Sequence, residues 1–437
     1  MTDTIFAPAS GFGRAAVAVI RISGPGAASC LTALTGHPPP LPRRLSLRQL
    51  RDPGTGEVLD RALVVWLPGP ATFTGEDSAE LHLHGGAAVR AAVLRVLGRL
   101  PGLAPAEPGA FTRRAFLNGR MDLTAVEGLA DLIDAETEAQ RRQAMRQLDG
   151  ALGRLVEAWR DTLLGVLAGA EAALDFSDEG DVDESALSAS GLAAAARVRD
   201  AILAALAEGR RGERLREGFV VVLAGPPNAG KSTLLNALAR REAAIVSPIP
   251  GTTRDAIEVR CDLDGLPVLL VDTAGLRDEG ADPIEAEGMA RSRRRIEEAD
   301  LVLWLVPPEG GAAAPKGALV VHTKRDLGRD PGGGVDGALA ISALTGEGLA
   351  MLLDRVAAAA GAALGRGDAV VTRERQRRAL EECAAHLGRA IAGAETMPAE
   401  LVAEDLRLAV RALGAVAGRV GVEEMLDRLF SSFCIGK

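Results

Sequence analysis

The run Gly225-Pro226-Pro227-Asn228-Ala229-Gly230-Lys231-Ser232 is a GxxxxGKS sequence set directly after the apolar stretch FVVVLA and before the helical run STLLNALARR. Glycines at this spacing let backbone N–H groups curl around a phosphate, and the start of the following helix adds its positive end. Lys231 brings a point charge to the β and γ phosphates, and the Ser232 hydroxyl, followed by Thr233, is placed for Mg2+. Downstream, PVLLVDTAG ends a strand at Asp272, whose carboxylate reaches Mg2+ through water. Thr273 and Ala274 lead from it to Gly275, whose amide can sense the γ-phosphate. Between these halves lies Gly251-Thr252-Thr253-Arg254-Asp255, a polar loop in which one of the two threonines completes the Mg2+ shell as a switch. By itself that loop reads as an ordinary turn.

The base is legible as well. The strand GALVVHTK ends in Thr323-Lys324-Arg325-Asp326, where a carboxylate can accept from both N1–H and N2–H2 of guanine while the lysine stem covers the ring. Adenine lacks that donor pair. After the next strand, ALAISALTGEG supplies Ser342-Ala343 for a backbone contact with the guanine carbonyl. A lone TKxD is more often a helix-capping aspartate; the order and spacing of the whole set specify guanine. In Ras-type enzymes the residue after DTAG is a glutamine that orients the attacking water. Here it is Leu276, a hydrocarbon, so the polar group must come from elsewhere in the chain or from a partner. Asp278, Glu279, Asp282, Glu285 and Glu287 follow within reach, and Arg254 and Arg277 are candidates for a finger.

These groups need a scaffold. From residue 15 to 118, AAVAVIRIS and RALVVWLP read as strands and AAVRAAVLRVLGRL as an amphipathic helix, which makes an α/β or α+β domain. Between residues 119 and 215 the strand signals vanish and long Ala/Leu/Arg/Glu stretches with helical spacing take over, broken by the acidic loop DFSDEGDVDE. Strands and helices alternate again from residue 217, with Asp264-Gly265 turning the hairpin IEVRCDLDGLPVLLV, and the chain is helical from about residue 370. Helical stretches on both sides of an α/β unit imply one helical domain with that unit inserted, since its halves can then bury their apolar stripes together.

Length and composition agree. The 437 residues suit two to four domains, and 47% hydrophobic with 25% charged residues is the balance of a folded soluble chain. No apolar run reaches the roughly 20 residues that span a bilayer. The first residues, MTDTIFAPASGFGR, lack the features of a secretory signal, so the expected address is the cytoplasm. Cys30, Cys261, Cys383 and Cys434 are scattered without a CxxC pair, which argues for reduced thiols and against a zinc knuckle. A net charge of −9 excludes bulk attraction to polyanions, so any nucleic-acid contact needs a local patch. RSRRR (291–295) and RERQRR (373–378) are the candidates, although a solvated helix face is the simpler account. Only Lys231, Lys316, Lys324 and Lys437 are lysines among the 50 basic residues, and three of them sit in motifs.

The GTPase motifs resemble those of the translation-factor-related GTPases, with Thr323 standing where their pattern has asparagine. Seven segments carry a closer resemblance: IRISGPGA, FTGEDSAELHLHGG, FTRRAFLNGRMDLTAVEGLADLIDA, GPPNAGKSTLLNAL, IVSPIPGTTRD, DTAGLRD and the terminal FSSFCIGK. Together they are similar to the MnmE (TrmE) family of tRNA modification GTPases, nearly end to end. The fold implied is an α/β P-loop GTPase domain inserted in an all-helical domain and preceded by an α+β folate-binding domain. Its boundaries fall at 1–118 for the folate-binding and dimerisation domain, 119–215 and 367–437 for the two helical parts, and 216–366 for the GTPase domain.

The same resemblance implies that Asn228, Ser247, Ile249 and Thr252 hold K+, with Ser232 and Thr253 at Mg2+ and with Pro248, Pro250 and Gly251 beside the nucleotide. A monovalent ion there would do the charge work of an arginine finger. Glu285 would position the water that Leu276 cannot. Arg21, Glu80, Arg120 and Lys437 would hold a 5-formyl- or 5,10-methylene-tetrahydrofolate, Arg120 replacing the family's usual lysine. Without that likeness, Arg21 and Glu80 read as a structural ion pair. Cys434 would serve the modification reaction; CIGK lacks the two aliphatics of a prenylation box. The implied activity is K+-stimulated GTP hydrolysis by a homodimer. With the FAD protein MnmG, in a heterotetramer or larger complex, it would put a 5-carboxymethylaminomethyl or aminomethyl group on the wobble uridine of certain tRNAs. The rivals are an RNA-binding GTPase switch in ribosome assembly and a nucleotide-gated interaction protein without chemistry.

Overall fold

The computed structural model describes residues 3–11, 13–175, 188–241, 243–245, 258–272, 294–310, 313–328, 339–365, 368–420 and 423–437. The chain forms two compact units, Met1–Ala130 with Gly414–Lys437, and Asp131–Leu413.

The first unit is built on a six-stranded sheet of β1 (Thr4–Pro8), β2 (Val17–Ser23), β3 (Ser46–Arg51), β4 (Val58–Leu67), β5 (Ser78–His84) and β6 (Leu103–Pro105), in the order β3-β4-β5-β2-β1-β6. All neighbours are antiparallel except β1 and β6. Period-two alternation sends Ile20, Ile22, Leu81, Leu83, Ala62 and Val64 to one face. There they pack with Leu31 and Leu34 of α1 (Ala27–Thr35) and Val93, Val96 and Leu97 of α2 (Ala87–Leu97). The opposite face carries Arg21 and Glu80, which the β2–β5 register pairs directly. Beside them α3 (Ala110–Leu117) lays the buried Phe111 over Ile5 and Ala7.

The carboxyl-terminal segment belongs to this unit. The last helix, α12 (Glu423–Ser431), packs on α3, with the Phe430 ring 6.4 Å from Phe116 and 6.2 Å from Phe433. Gly436, at φ 99°, lies so close to β1 that a β-carbon there would overlap the Pro8 carbonyl oxygen. The Phe111 amide then donates to the Lys437 carbonyl at 3.1 Å.

In the second unit α4 (Leu123–Asp134), begun in the first, leads to α5 (Glu138–Leu148), α6 (Ala151–Asp175) and α7 (Ala189–Glu217). The acidic loop between α6 and α7 lies outside the described residues after Asp175. The α/β part comprises β7 (Phe219–Ala224), α8 (Lys231–Ala239), β8 (Glu258–Leu263), β9 (Leu266–Asp272), β10 (Leu301–Val306), β11 (Leu319–His322), β12 (Leu339–Ala340) and α9 (Leu349–Leu364). Its sheet order is β12-β11-β10-β7-β9-β8, parallel except for the β8–β9 hairpin. Asp264 (φ 54°) and Gly265 (φ 81°) make the hairpin turn, as read from the sequence. Its Gly265 carbonyl accepts from the Ala139 amide at 3.0 Å, in the first turn of α5, whose Thr137 and Gln140 form a capping box.

After α9 the chain returns to α7. A β-carbon on Gly212 would overlap the Val371 carbonyl, and Arg216 Nε donates to the Thr372 carbonyl at 3.2 Å. Then α10 (Glu374–Gly393) runs along α7, followed by α11 (Ala399–Ala417). The helical stretches flanking the α/β part thus bury against one another, as their apolar spacing requires. In RERQRR, Arg373 pairs with Asp131 and Arg377 with Glu213 and Glu381, so two of the candidate polyanion contacts are committed to internal ion pairs.

Among the described residues no helix is long and apolar enough to cross a membrane. Cys30, Cys261 and Cys383 are buried, which pushes their thiols up to about 12, 11 and 12, while Cys434 is exposed. Thiolate is the reactive form. Iodoacetamide at about pH 8 is therefore expected to modify only Cys434 in the native chain and all four cysteines in denaturant, as peptide mass analysis would register; rapid native labelling of a second cysteine would contradict the packing.

Candidate functional site

At the end of β7, Gly225 takes φ 140° because a β-carbon would overlap the Leu305 carbonyl of β10, which fixes where the loop leaves the sheet. Asn228 (φ 61°) and Gly230 (φ 92°) both adopt left-handed backbone, and Gly230 caps α8. This bends the loop back onto the start of α8, the backbone arrangement of phosphate-holding loops. Lys231 Nζ donates to the Gly225 and Pro226 carbonyls, each at 3.0 Å, bending back over its own loop. The Ser232 hydroxyl donates to Asp272 Oδ2 at 2.6 Å, and Asp272 is fully buried. A hydroxyl and a carboxylate at that separation are the hard oxygen donors that suit Mg2+. The start of α8 and the end of β9 therefore meet at Ser232 and Asp272.

The base side is assembled too. Lys324 (φ 59°) turns the chain into a short 3-10 helix, Arg325–Leu327, that carries Asp326. The buried Ser342 hydroxyl donates to Asp326 Oδ1 at 2.6 Å, and Ala343 follows it. Thr323, also buried, donates its hydroxyl to the Ala229 carbonyl at 2.8 Å. The departure from asparagine thus keeps a hydrogen bond between the base loop and the phosphate loop. Thr233 sits exposed in the first turn of α8. Ser247, Pro248, Ile249, Pro250, Gly251, Thr252, Thr253, Thr273, Ala274, Gly275 and Glu285 lie outside the described residues.

A second constellation lies in the other unit. Arg21 Nε and Nη2 both donate to Glu80 Oε1 at 3.1 Å. The guanidinium stands 5.2 Å from the Phe73 ring centroid and 5.9 Å from that of Phe111, within cation–π range. The half-buried Lys437 ammonium is held below its ordinary pKa, first by burial and then by the Arg21 charge, while Cys434 acts in the opposite direction. Two cations thus share one partly desolvated place, which favours an anionic ligand. Arg120 is exposed; its stem passes Gly75 on the Phe73 loop, and no ion pair joins it to this group among the described residues. Two members were not foreseen from the sequence. Arg114, buried, donates to Glu76 at 2.8 Å and to the Asp3 carbonyl at 2.8 Å, and Asn118 donates to the Thr74 carbonyl at 2.7 Å. Together they pin the loop that presents Phe73. Their signal in FTGEDSAELHLHGG and FTRRAFLNG is only a polar residue in an apolar setting. Among the described residues no cluster of three or more His, Cys, Asp or Glu could hold a metal.

A family model described as the MnmE helical domain matches residues 123–434, and another, the GTP-binding protein TrmE N-terminus, matches residues 4–120. The tRNA modification GTPase MnmE of Methylorubrum populi is 70% identical, covering 100% of this chain and 98% of that protein. The same enzyme of Methylobacterium radiotolerans is 67% identical, covering 100% and 99%. Among solved structures, the G domain of the T. maritima FeoB iron transporter aligns with 32% of this chain and 98% of its own, at 23% identity and a TM-score of 0.23.

The Thr323 bond yields a direct expectation. Thr323→Val keeps the shape but leaves the Ala229 carbonyl without that donor, a loss of about 1 kcal/mol. Affinity for GDP in a fluorescent-nucleotide titration should fall about five- to tenfold, with turnover at saturating GTP little changed. Unaltered affinity would mean that the two loops hold together without it.

Proposed function

The chain belongs to the MnmE (TrmE) family of tRNA modification GTPases, and from that membership we propose a K+-stimulated GTPase that works with the FAD protein MnmG and a tetrahydrofolate one-carbon unit. The product is the 5-carboxymethylaminomethyl or aminomethyl group on the wobble uridine of certain tRNAs. The observation that supports it best is the meeting of Arg21, Glu80 and Lys437 at one place remote in sequence from a complete P-loop.

On the nucleotide side, Lys231 exchanges the carbonyls of its own loop for the β and γ phosphates, and the loop's amides hold the remaining oxygens. By the family resemblance Ser232, Thr253 and Asp272 would hold Mg2+, and Asn228, Ser247, Ile249 and Thr252 would hold K+. When bound, the two cations supply the positive charge that offsets the phosphate oxygens in the transition state. Glu285 orients the attacking water. By the same resemblance Pro248, Pro250, Gly251, Thr273, Ala274, Gly275 and Thr233 would contact the nucleotide, and Asp326, Lys324 and Ala343 would select guanine. Hydrolysis drives switch closure between two copies and not the carbon transfer itself.

On the folate side, Arg21, Glu80, Arg120 and Lys437 bind and orient the pterin edge and the glutamyl carboxylates, with Phe73 and Phe111 flanking Arg21. Tetrahydrofolate supplies the one-carbon unit when bound. Cys434, exposed and three residues from Lys437, serves the modification step. The open sheet face presents Leu47 and Leu63, paired across β3 and β4 and 66% and 42% exposed, an apolar patch that suits a second copy of this chain. The setting is the cytoplasm.

Replacing K+ by Na+ should slow GTP turnover of the purified chain more than tenfold, a step of about 1.4 kcal/mol in the barrier. Glu285→Ala should abolish turnover with nucleotide affinity nearly intact; equal rates in the two salts, or a collapse of affinity in the variant, would refute this account of hydrolysis. Cys434→Ser should spare GTP turnover and deplete the modified wobble uridine, read by nucleoside mass analysis of cellular tRNA. Normal levels of the modification would remove the thiol from the reaction.

A further inference from the structure

Glu80 is engaged from two sides. Arg21 places two N–H groups on Oε1 alone, and the other oxygen, Oε2, lies 3.3 Å from His82 Nε2. His82 follows Glu80 by two residues on β5, so the pleat puts both side chains on the open sheet face. There it is 27% exposed, in register between Leu63 of β4 and Val19 of β2. The nearby His84 is already occupied, its Nδ1 at 2.7 Å and its amide at 2.9 Å from the Asp60 carboxylate, so neither group competes for His82. An ionised carboxylate only accepts, so the shared hydrogen belongs on His82 Nε2. Donors on one oxygen leave a carboxylate free to swing its other oxygen; a donor on each sets the carboxylate plane. A flat heterocycle offering two parallel N–H donors binds more tightly to a carboxylate whose plane is already set, because less ordering is left to the binding step.

We propose that His82 is a positioning residue of the folate site: through Nε2–H it fixes the Glu80 carboxylate for a planar two-donor edge such as that of a pterin. This rests on the tetrahydrofolate reading above.

Binding of 5-formyltetrahydrofolate to the full chain, followed by calorimetry, tests it. His82→Leu should weaken binding about tenfold with the thermal unfolding midpoint unchanged, whereas His82→Gln, which keeps an N–H donor, should stay within about twofold of wild type. In a Glu80→Ala background, His82→Leu should add no further loss, because its effect passes through the missing carboxylate. Equal affinity of His82→Leu and wild type, or an additive loss without Glu80, overturns the assignment. If wild type itself does not bind the folate, the tetrahydrofolate reading fails and this inference fails with it.

Discussion

The seating of the chain's last residues on its first strand governs the amino-terminal unit. Gly436 can approach the Pro8 carbonyl only because it has no side chain, and the Phe111 amide then takes the Lys437 carbonyl. Phe430 and Phe433 supply the apolar burial that holds this approach closed. As a result an ammonium from one end of the sequence arrives beside a guanidinium from the other. Burial first, and the Arg21 charge second, hold the Lys437 ammonium below its ordinary pKa.

The nucleotide unit holds its charges in the opposite manner. Lys231 rests on two carbonyls and Ser232 on Asp272, so each group that would meet phosphate or metal already has an internal partner. Such substitution keeps polar groups satisfied in a buried cleft, and the same geometry positions them for exchange. The link through Thr323 to Ala229 and the link through Ser342 to Asp326 tie the base loops to this framework. Phosphate and base sites are thus held by one hydrogen-bonded set.

Legibility from the sequence followed the range of the interaction. The P-loop, the Asp264-Gly265 turn and α2 declare themselves within a few residues, because glycine conformation and helical spacing are local properties. Strand β2 is legible in AAVAVIRIS, yet that Arg21 faces Glu80 depends on pairing across 59 positions, which no spacing rule supplies. Strand β1, five residues ending in a proline, gives too short a pattern to read, and the polar residues in β3 and β5 blur their alternation. Arg114 and Glu76 look like surface charges in the sequence; only the tertiary fold makes them a buried tie. The flanks of the phosphate site that carry Ser247, Ile249, Thr252, Thr253 and Glu285 fall outside the described residues, and their roles continue to rest on resemblance.

The return of the chain to α7 has an architectural consequence. Arg216, just before β7, and Thr372, after α9, lie within a hydrogen bond of each other, although some 155 residues separate them. Entry to the α/β part and exit from it are therefore adjacent. The helical stretches bury one another along α7 and α10, while Leu215 of α7 and Ala139 of α5 pack into the α/β core, so host and insert share side chains at their junction.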